Sequence, residues 1–422
     1  MELLKWIFFY LLNGLADRLG ASSQGTLNIV NPPTGGERKQ GVVWVFCSTI
    51  GEFNACRPLL ERLKLHWHLV LLTDHDCYTG SFHHQLPEAT VVELTGRISD
   101  GKRLAAVLRP DLFVICEIPA LPNDAPCRLS YALLRSAKRS GARLNIVNAW
   151  LYEYQPGCRM DAIERWLFTK SYLHMFDFAT VQSEAVRDAL ISKGMAADKV
   201  AVSGNMKFDA LANNASRVHA APEDAVIRSL KASGSTIVVA GCLAGISECE
   251  RLFPALASLK LSNSGMFFVL APRHPENVDF MASFLELLRG AGLTFGLKSQ
   301  LKLAELQSLD VLVLDTFGEL QHYYAAADVC YVGSNHNILE PLSFGKPTVV
   351  SGQWDPMFPS YPVFSLTRSR GLVHAAAEDE NLGDVFRSLL ASPQSANPEL
   401  ILGALEDLSG AVEISYGSLA PD

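Results

Sequence analysis

The sequence predicts an α/β protein of two domains, each a parallel sheet with helices on both faces. Three observations carry that expectation. The chain has 422 residues, too many for one ordinary core. Its strand-like segments are continuous apolar runs, the mark of strands buried on both faces, and helix-periodic segments alternate with them. A polar stretch from Asp209 to Pro222 interrupts the alternation, which then begins again. Right-handed winding makes each half a Rossmann-like sheet, and the two halves are expected to face each other across a cleft. Ligands of open parallel sheets bind at the carboxyl ends of strands, so the residues just after each strand carry the functional reading.

Taken in order, residues 1–21 come first, with the apolar, aromatic run Leu3-Leu-Lys-Trp-Ile-Phe-Phe-Tyr-Leu-Leu12. Asn13, Asp17 and Arg18 follow closely, so the run falls short of the about 20 apolar residues that cross a bilayer. No small-residue cleavage site follows a basic start, which argues against a signal peptide. The segment reads as a membrane-associating helix with Trp6, Phe8, Phe9 and Tyr10 at the headgroup boundary. A helix packed on the domain's own core is the alternative.

Residues 22–41, polar and rich in Gly and Pro, read as a linker within a first domain spanning 22–209. Strands are expected at Val42–Cys47, Leu69–Thr73, Leu112–Cys116, Leu144–Val147, Phe178–Val181 and Val200–Val202, with a helix from Glu52 to Leu65. Residues 210–225 are the linker, and 226–422 the second domain. Its strands are expected at Thr236–Ala240, Met266–Leu270, Asp310–Leu314, Val329–Val332 and Pro347–Val350. Closing helices follow from 374, ending in a tail, Ala411–Asp422, without an assigned role.

Composition bounds the function. Hydrophobic residues make up 49% and charged ones 19%, which is globular and not disordered. A net charge of −8 lacks the broad basic surface that nucleic acid requires. Nine scattered cysteines without a Cys-x-x-Cys pair suit buried thiols in a reducing compartment better than disulfides or zinc. Between Arg128 and Lys170 bases outnumber acids, a patch that suits anionic lipid or simply a solvated helix.

Several segments after strands can carry chemistry. Val332-Gly-Ser-Asn-His-Asn-Ile-Leu-Glu340 follows a strand and opens a helix; a glycine turn and free N–H groups suit phosphate, and Glu340 a ribose diol. Glu52, after Cys47-Ser-Thr-Ile-Gly, is either a general base or a helix N-terminal acid. Arg273-His274-Pro275-Glu276 can hold a phosphate or merely cap a helix. Asp315-Thr316-Phe317-Gly318-Glu319 offers turn donors to a base or phosphate, or an ordinary N-cap. Lys207, in Gly204-Asn-Met-Lys-Phe-Asp209, is a cleft cation or a solvated lysine. The set as a whole reads as a nucleotide-sugar site and the protein as a glycosyltransferase.

Their order along the chain resembles the 3-deoxy-D-manno-oct-2-ulosonic acid (Kdo) transferases of lipopolysaccharide assembly, glycosyltransferases of the GT-B class. The match runs from about residue 42 to about 352 and rests on Cys47-Ser-Thr-Ile-Gly-Glu52, Leu108-Arg-Pro-Asp-Leu-Phe-Val114, Ile146-Val-Asn-Ala149, Phe176–Glu184, Gly204–Asp209, Ala271-Pro-Arg-His-Pro-Glu276, Asp315–Leu320 and His336-Asn-Ile-Leu-Glu-Pro341. The resemblance implies that Glu52 deprotonates the acceptor hydroxyl. It implies that Arg273 and His274 meet the nucleotide phosphate, that Asp315 to Glu319 form a loop near the base, and that Asn337 and Glu340 hold the ribose. Lys207 is grouped with them as a donor-site cation. It further implies a CMP-Kdo donor, a lipid A precursor as acceptor, inversion by direct displacement without a metal or resident cofactor, and the cytoplasmic face of the inner membrane as the place of work.

The chain also departs from that pattern. Gly333-Ser-Asn-His336 shortens the family's glycine-rich loop, and Cys116–Asn123 keeps only an acid and a Pro-Asn of its Glu-Ser-Glu-Leu-Trp-Pro-Asn. Asn148-Ala-Trp-Leu-Tyr-Glu153 loses an arginine and a serine, and Gly241–Glu248 replaces the Ser-Thr-His-x-Gly-Glu-Glu turn. A bidentate guanidinium is hard to substitute, so donor or acceptor could differ. A nucleotide-sugar 2-epimerase and a catalytically silent nucleotide binder are the readings from other classes.

Overall fold

A computed structural model describes residues 2–19, 27–32, 40–117, 121–122, 129–151, 155–211, 224–391 and 397–419. Most of the expected 210–225 linker, Arg128, and parts of the departing 116–123 and 148–153 segments lie outside them. The chain divides into a first unit, Met1–Ala210 with Leu408–Asp422, and a second, Leu211–Asp407.

The first unit holds strands β1 (Asn28–Val30), β2 (Val42–Phe46), β3 (His68–Thr73), β4 (Thr90–Glu93), β5 (Leu112–Cys116), β6 (Arg143–Ala149), β7 (Phe178–Val181) and β8 (Val200–Val202). They lie in the order β1-β4-β3-β2-β5-β6-β7-β8. All pairings are parallel except that of β1 with β4. Helices α1 (Glu2–Leu19), α2 (Ile50–Leu63), α3 (Asp76–Gln85), α4 (Asp100–Val107), α5 (Tyr131–Arg139), α6 (Arg159–Tyr172), α7 (Glu184–Ser192) and α8 (Met206–Asp209) cover it. Alternate β2 residues go to opposite cores: Trp44 and Phe46 pack with Leu104, Leu133 and Phe168, while Val43, Val45 and Cys47 pack with Phe53, Leu59 and Phe82. That two-sided burial is why the strands read as unbroken apolar runs.

The second unit contains α9 (Ala225–Ala232), β9 (Thr236–Leu243), α10 (Ile246–Ser262), β10 (Met266–Pro272), α11 (Val278–Gly290), β11 (Phe295–Leu297), β12 (Val311–Val313), α12 (Leu320–Ala326), β13 (Val329–Val332), α13 (Leu339–Leu342), β14 (Thr348–Ser351), α14 (Tyr361–Ser369), β15 (Val373–Ala376), α15 (Leu382–Ala391) and α16 (Pro398–Glu406). Its sheet runs β11-β12-β10-β9-β13-β14-β15, parallel throughout.

The structure corrects three boundaries. Residues 1–21 are not a domain apart. Phe9 of α1 is buried edge-on against Phe168, 5.5 Å between centroids, and Lys5 Nζ donates to Leu167 O at 3.1 Å. Residues 22–41 are not all linker, because Asn28–Val30 pairs antiparallel along β4. The chain's last helix, α17 (Ala411–Leu419), does not close the second unit; it returns to the first. Asp209 explains the return: its carboxylate accepts from Gly410 N at 2.9 Å and Ala411 N at 3.2 Å, capping α17. Thr180 and Ser415 hydroxyls meet at 2.8 Å, and Arg143 donates to Leu419 O at 2.7 Å.

Candidate functional site

In the first unit, polar groups gather at the carboxyl ends of β2, β3, β5, β6, β7 and β8. Thr49 leaves β2 in extended conformation (φ −121°) and caps α2, while the Glu52 side chain turns back: Oε2 accepts from Ser48 N at 2.6 Å and Thr49 N at 3.3 Å. This capping box makes Glu52 a helix N-terminal acid. Its other oxygen, Oε1, is buried without a hydrogen-bond partner. Burial raises the Glu52 pKa to about 8; the negative charges of Glu117 and Asp74 add to the rise and the Ser48 and Thr49 amides oppose it. A desolvated, proton-hungry oxygen is left at a strand end.

Glu117 and Asn148 end the adjacent strands β5 and β6 with left-handed backbone, φ 50° and 54°. Such angles cost on the order of 1 kcal/mol or more in a non-glycine residue and persist where the surroundings over-determine them. Here Asn148 Nδ2 donates to Glu117 Oε1 at 2.8 Å, and Asn148 Oδ1 accepts from Met206 N at 2.9 Å. Gln182 donates to Asn148 O at 2.9 Å and Asn205 to Gln182 at 2.7 Å, extending the network to β7 and β8. Lys207 joins this constellation within the first unit: its Nζ lies 3.0 Å from Glu117 Oε1. Losing one partner of a buried charge pair is costly. Since Lys207 keeps some solvent, Lys207→Met should destabilise the protein by about 1–3 kcal/mol, read by urea unfolding.

Sequence reasoning missed Glu117, Asn148 and Asp74 as site residues. The available signal was a polar residue directly after each apolar run. Cys47, Cys56 and Cys116 lie beneath this site, fully buried; hydrogen bonds among the thiols raise Cys56 and, through Cys47, Cys116 but lower Cys47, and burial with nearby negative charges keeps all three above the ordinary range, so they serve as packing groups.

In the second unit, Arg273, Thr316, Phe317, Gly318 and Glu340 line one cavity of about 300 Å³, with Cys242 and Leu314. Glu340 accepts from Asn337 Nδ2 at 3.3 Å, and burial raises its pKa. Asp315 instead accepts from Ser299 N at 2.8 Å and from the Ser299 hydroxyl, holding the chain after β12. Glu319 accepts from Thr316 Oγ1 at 2.8 Å, and His274 pairs with Glu276 at 3.0 Å on the surface. His336, absent from the expected set, is held near pKa 4 by burial and by the charges of Arg273 and His274, so it is neutral at pH 7.

Gly333 permits a close approach: a Cβ there would lie 2.3 Å from Cys242 O and 3.2 Å from Glu248 Oε2. Glu248 accepts from Tyr331 OH at 2.8 Å and Ser334 N at 3.3 Å. Among the described residues no group of three His, Cys, Asp or Glu side chains is placed to hold a metal ion.

Residues 14–210 match the family described as 3-deoxy-D-manno-octulosonic-acid transferase (kdotransferase). The 3-deoxy-D-manno-octulosonic acid transferase of Chlamydia trachomatis serovar A is 26% identical over 370 residues, covering 84% of this chain and 79% of its own. Over residues 14–210 the chain carries the sequence pattern of the Kdo transferases. The Bordetella pertussis enzyme of the same description is 28% identical over 341 residues, 73% of this chain and 70% of that one. In fold, the chain is similar to the UDP-GlcNAc 2-epimerase of Neisseria meningitidis bound to UDP-GlcNAc. That likeness has a TM-score of 0.61 at 16% identity, over 90% of this chain and 99% of the other. The likeness is one of architecture, two parallel-sheet units of the GT-B kind, and the family makes the protein a glycosyltransferase.

Proposed function

We propose that the protein transfers Kdo, or a closely related sugar acid, from a CMP-activated donor to a lipid A precursor, with inversion. One observation carries this reading: Glu52 Oε1, buried, unpartnered and raised to about pKa 8, supplies a base at a strand's carboxyl end. The acceptor hydroxyl oxygen bonds to the anomeric carbon as the bond from that carbon to the phosphate oxygen breaks. Its proton goes to Glu52, and the bonding pair leaves with CMP. Arg273 meets the phosphate, and Glu340 holds the ribose diol in the cavity they share. The CMP product is a stabilised anion, so positioning and positive charge are the main tasks. The deciding experiment is transfer from CMP-Kdo generated in situ to a tetraacyl lipid A precursor. Product supports the reading; CMP binding without product moves it to another sugar or acceptor, and no CMP binding removes the donor assignment.

A specific observation favours keeping a second donor in view. Trp150 stands where the family pattern has arginine, and its indole N–H is buried without a partner. One neutral donor replaces two charged ones, which suits a sugar whose carboxylate is absent or masked.

The place of work we infer is the cytoplasmic membrane surface. Among the described residues no helix is long and apolar enough to cross a bilayer. Helix α1 nevertheless exposes Leu4 at 71% and Leu11 at 66%, beside Leu3, Phe8 and Leu15, and Trp166 of α6 is also exposed. Arg135 stacks on Trp6 at 4.9 Å, bringing positive charge to the same helix, whereas Lys138 of the basic segment is paired with Asp177. Leu4→Glu with Leu11→Glu should cut sedimentation with anionic vesicles about tenfold or more while leaving CMP binding unchanged.

A further inference from the structure

Helix α10 begins with an anion of its own. The chain reads Gly245-Ile-Ser-Glu248, with Gly245 at the N-cap in extended conformation, and a glutamate three residues past the cap can turn back to the helix's free amides. Its Oε1 accepts from Tyr331 OH at 2.8 Å and from Ser334 N at 3.3 Å, and Tyr331 OH meets Ser351 Oγ at 2.6 Å. Burial raises the Glu248 pKa; the Tyr331 hydroxyl and the backbone amides of Ser334, Ala244 and Gly245 oppose the rise by favouring the ionised form. The carboxylate thus stands where the ends of β9, β13 and β14 converge.

It also borders the nucleotide cavity. Cys242 lies in the cavity wall, and the Cβ position of Gly333 is 2.3 Å from Cys242 O and 3.2 Å from Glu248 Oε2. The charged neighbours of the Cys242 thiol are Glu340, Arg273 and Glu248: burial raises it to about 12, both carboxylates add to the rise and Arg273 opposes it. Positive charge is scarce here. Among the described lining residues Arg273 is the one cation and Glu340 the one acid. His274 is paired with Glu276 at the surface, His336 is neutral at pH 7, and Arg251 of α10 is turned to Ala377 O and Glu380 O.

We propose that Glu248 sets the length of the donor's phosphate chain: its carboxylate fills the anion place at the start of α10, so the cavity takes a nucleoside monophosphate ester and rejects a diphosphate. The proposal rests on the donor reading above and assigns that choice to one residue. In Rossmann-like units the turn after the first strand and the helix N-terminus behind it hold a pyrophosphate. Here that turn runs from β9 to α10, and its amides already face Glu248. One guanidinium balances the single charge of a phosphodiester. A second phosphate would add a charge beside the Glu248 and Glu340 carboxylates, and like charges in a partly desolvated space repel.

The test is titration calorimetry of the full chain with CMP and with CDP near neutral pH, without divalent cations that would mask the second phosphate. The two probes share base and ribose, so the ratio of their affinities reads the added phosphate alone. Wild type should bind CMP about tenfold or more tighter than CDP. Glu248→Gln keeps an acceptor for Tyr331 and Ser334 but loses the charge. Its ratio should fall about fivefold or more through tighter CDP binding, a gain that misfolding cannot mimic. Tyr331→Phe takes one hydrogen bond from Glu248 and leaves its charge, so it should keep the wild-type ratio. Equal binding of CDP and CMP by wild type overturns the monophosphate choice. An unchanged ratio in Glu248→Gln, or an equal fall in Tyr331→Phe, overturns Glu248 as its cause. Binding of neither nucleotide removes the donor reading and this inference together. With the expected ratios in hand, a failure of Kdo transfer counts against the sugar or the acceptor and leaves the inference standing.

Discussion

Glu52→Gln should lower the transfer rate about 10²-fold or more and leave the protein at least as stable as wild type. Few active-site changes separate those readouts so cleanly. Glutamine keeps an oxygen that can accept from Ser48 and Thr49, so the capping box survives, but it cannot take the acceptor's proton. Its amide replaces an ionisable group whose pKa the fold raises from 4.5 to about 8. The sign follows directly. Below pH 4.5 the glutamate is neutral folded or unfolded. Between 4.5 and about 8 the unfolded chain ionises while the folded chain resists, so the glutamate's contribution to stability is lost as pH rises through that window. The variant escapes the loss. Its advantage in Tm should be absent at pH 4, grow to the equivalent of a few kcal/mol by pH 8, and then level off. In wild type, kcat/KM should climb about tenfold per pH unit below 8 and flatten above it, because only the ionised carboxylate is a base. A fall in stability at pH 8, or wild-type turnover by the variant, would remove Glu52 from the role.

How much of this was legible in the sequence depends on what each element asks of its residues. Strands such as β2 and β10, buried on both faces, need unbroken apolar runs and announce themselves. Strand β1 does not: three residues, Asn28-Ile-Val30, sit on an edge beside β4, where Asn31 Nδ2 also bonds Pro87 O at 2.8 Å. Strand β15, Val373-His-Ala-Ala376, is equally short of apolar signal at the other sheet's edge. The destination of α17 was invisible, because an amphipathic helix says nothing of which core it joins; Asp209, 201 residues from its partner Gly410, decides it. Glu52 could be found from Thr49-x-x-Glu52 alone. Glu117 and Asn148 left only the weak mark of a polar residue after an apolar run; their left-handed backbone and the bond between them belong to two strands together. The same limit hid the partners of Lys207 and Asp315. Both follow strands, yet where a side chain turns after the strand is set by the partners it meets, Glu117 for one and Ser299 for the other.

Gly333→Ala should unfold the second unit at a markedly lower temperature and abolish nucleotide binding with it. From sequence, this glycine suggested a turn that lets backbone approach a ligand. The structure gives the approach a different object: the Cβ of alanine would stand 2.3 Å from Cys242 O and 3.0 Å from Cys242 C, both backbone atoms. No side-chain rotation relieves that contact. Cys242 cannot retreat easily, since it already holds φ 58°, and Gly241 before it would bring a Cβ within 1.9 Å of the Tyr324 hydroxyl. The ends of β9 and β13 must therefore separate, breaking the Gly333 N to Gly241 O bond of 3.0 Å and the Ser334 N to Glu248 contact. Overpacking of this kind costs about 1–3 kcal/mol where side chains can give, and more where only backbone can. Gly290 offers the internal control. It ends α11 with nothing within 4 Å of its Cβ position, so Gly290→Ala should raise stability by about 0.5–1 kcal/mol. Calorimetry of the two variants should show the second unit's transition moving in opposite directions while the first unit's transition stays in place. CMP affinity should be lost only with Gly333→Ala. If that variant keeps wild-type CMP affinity, the β9–β13 junction does not shape the cavity that Arg273 and Glu340 line.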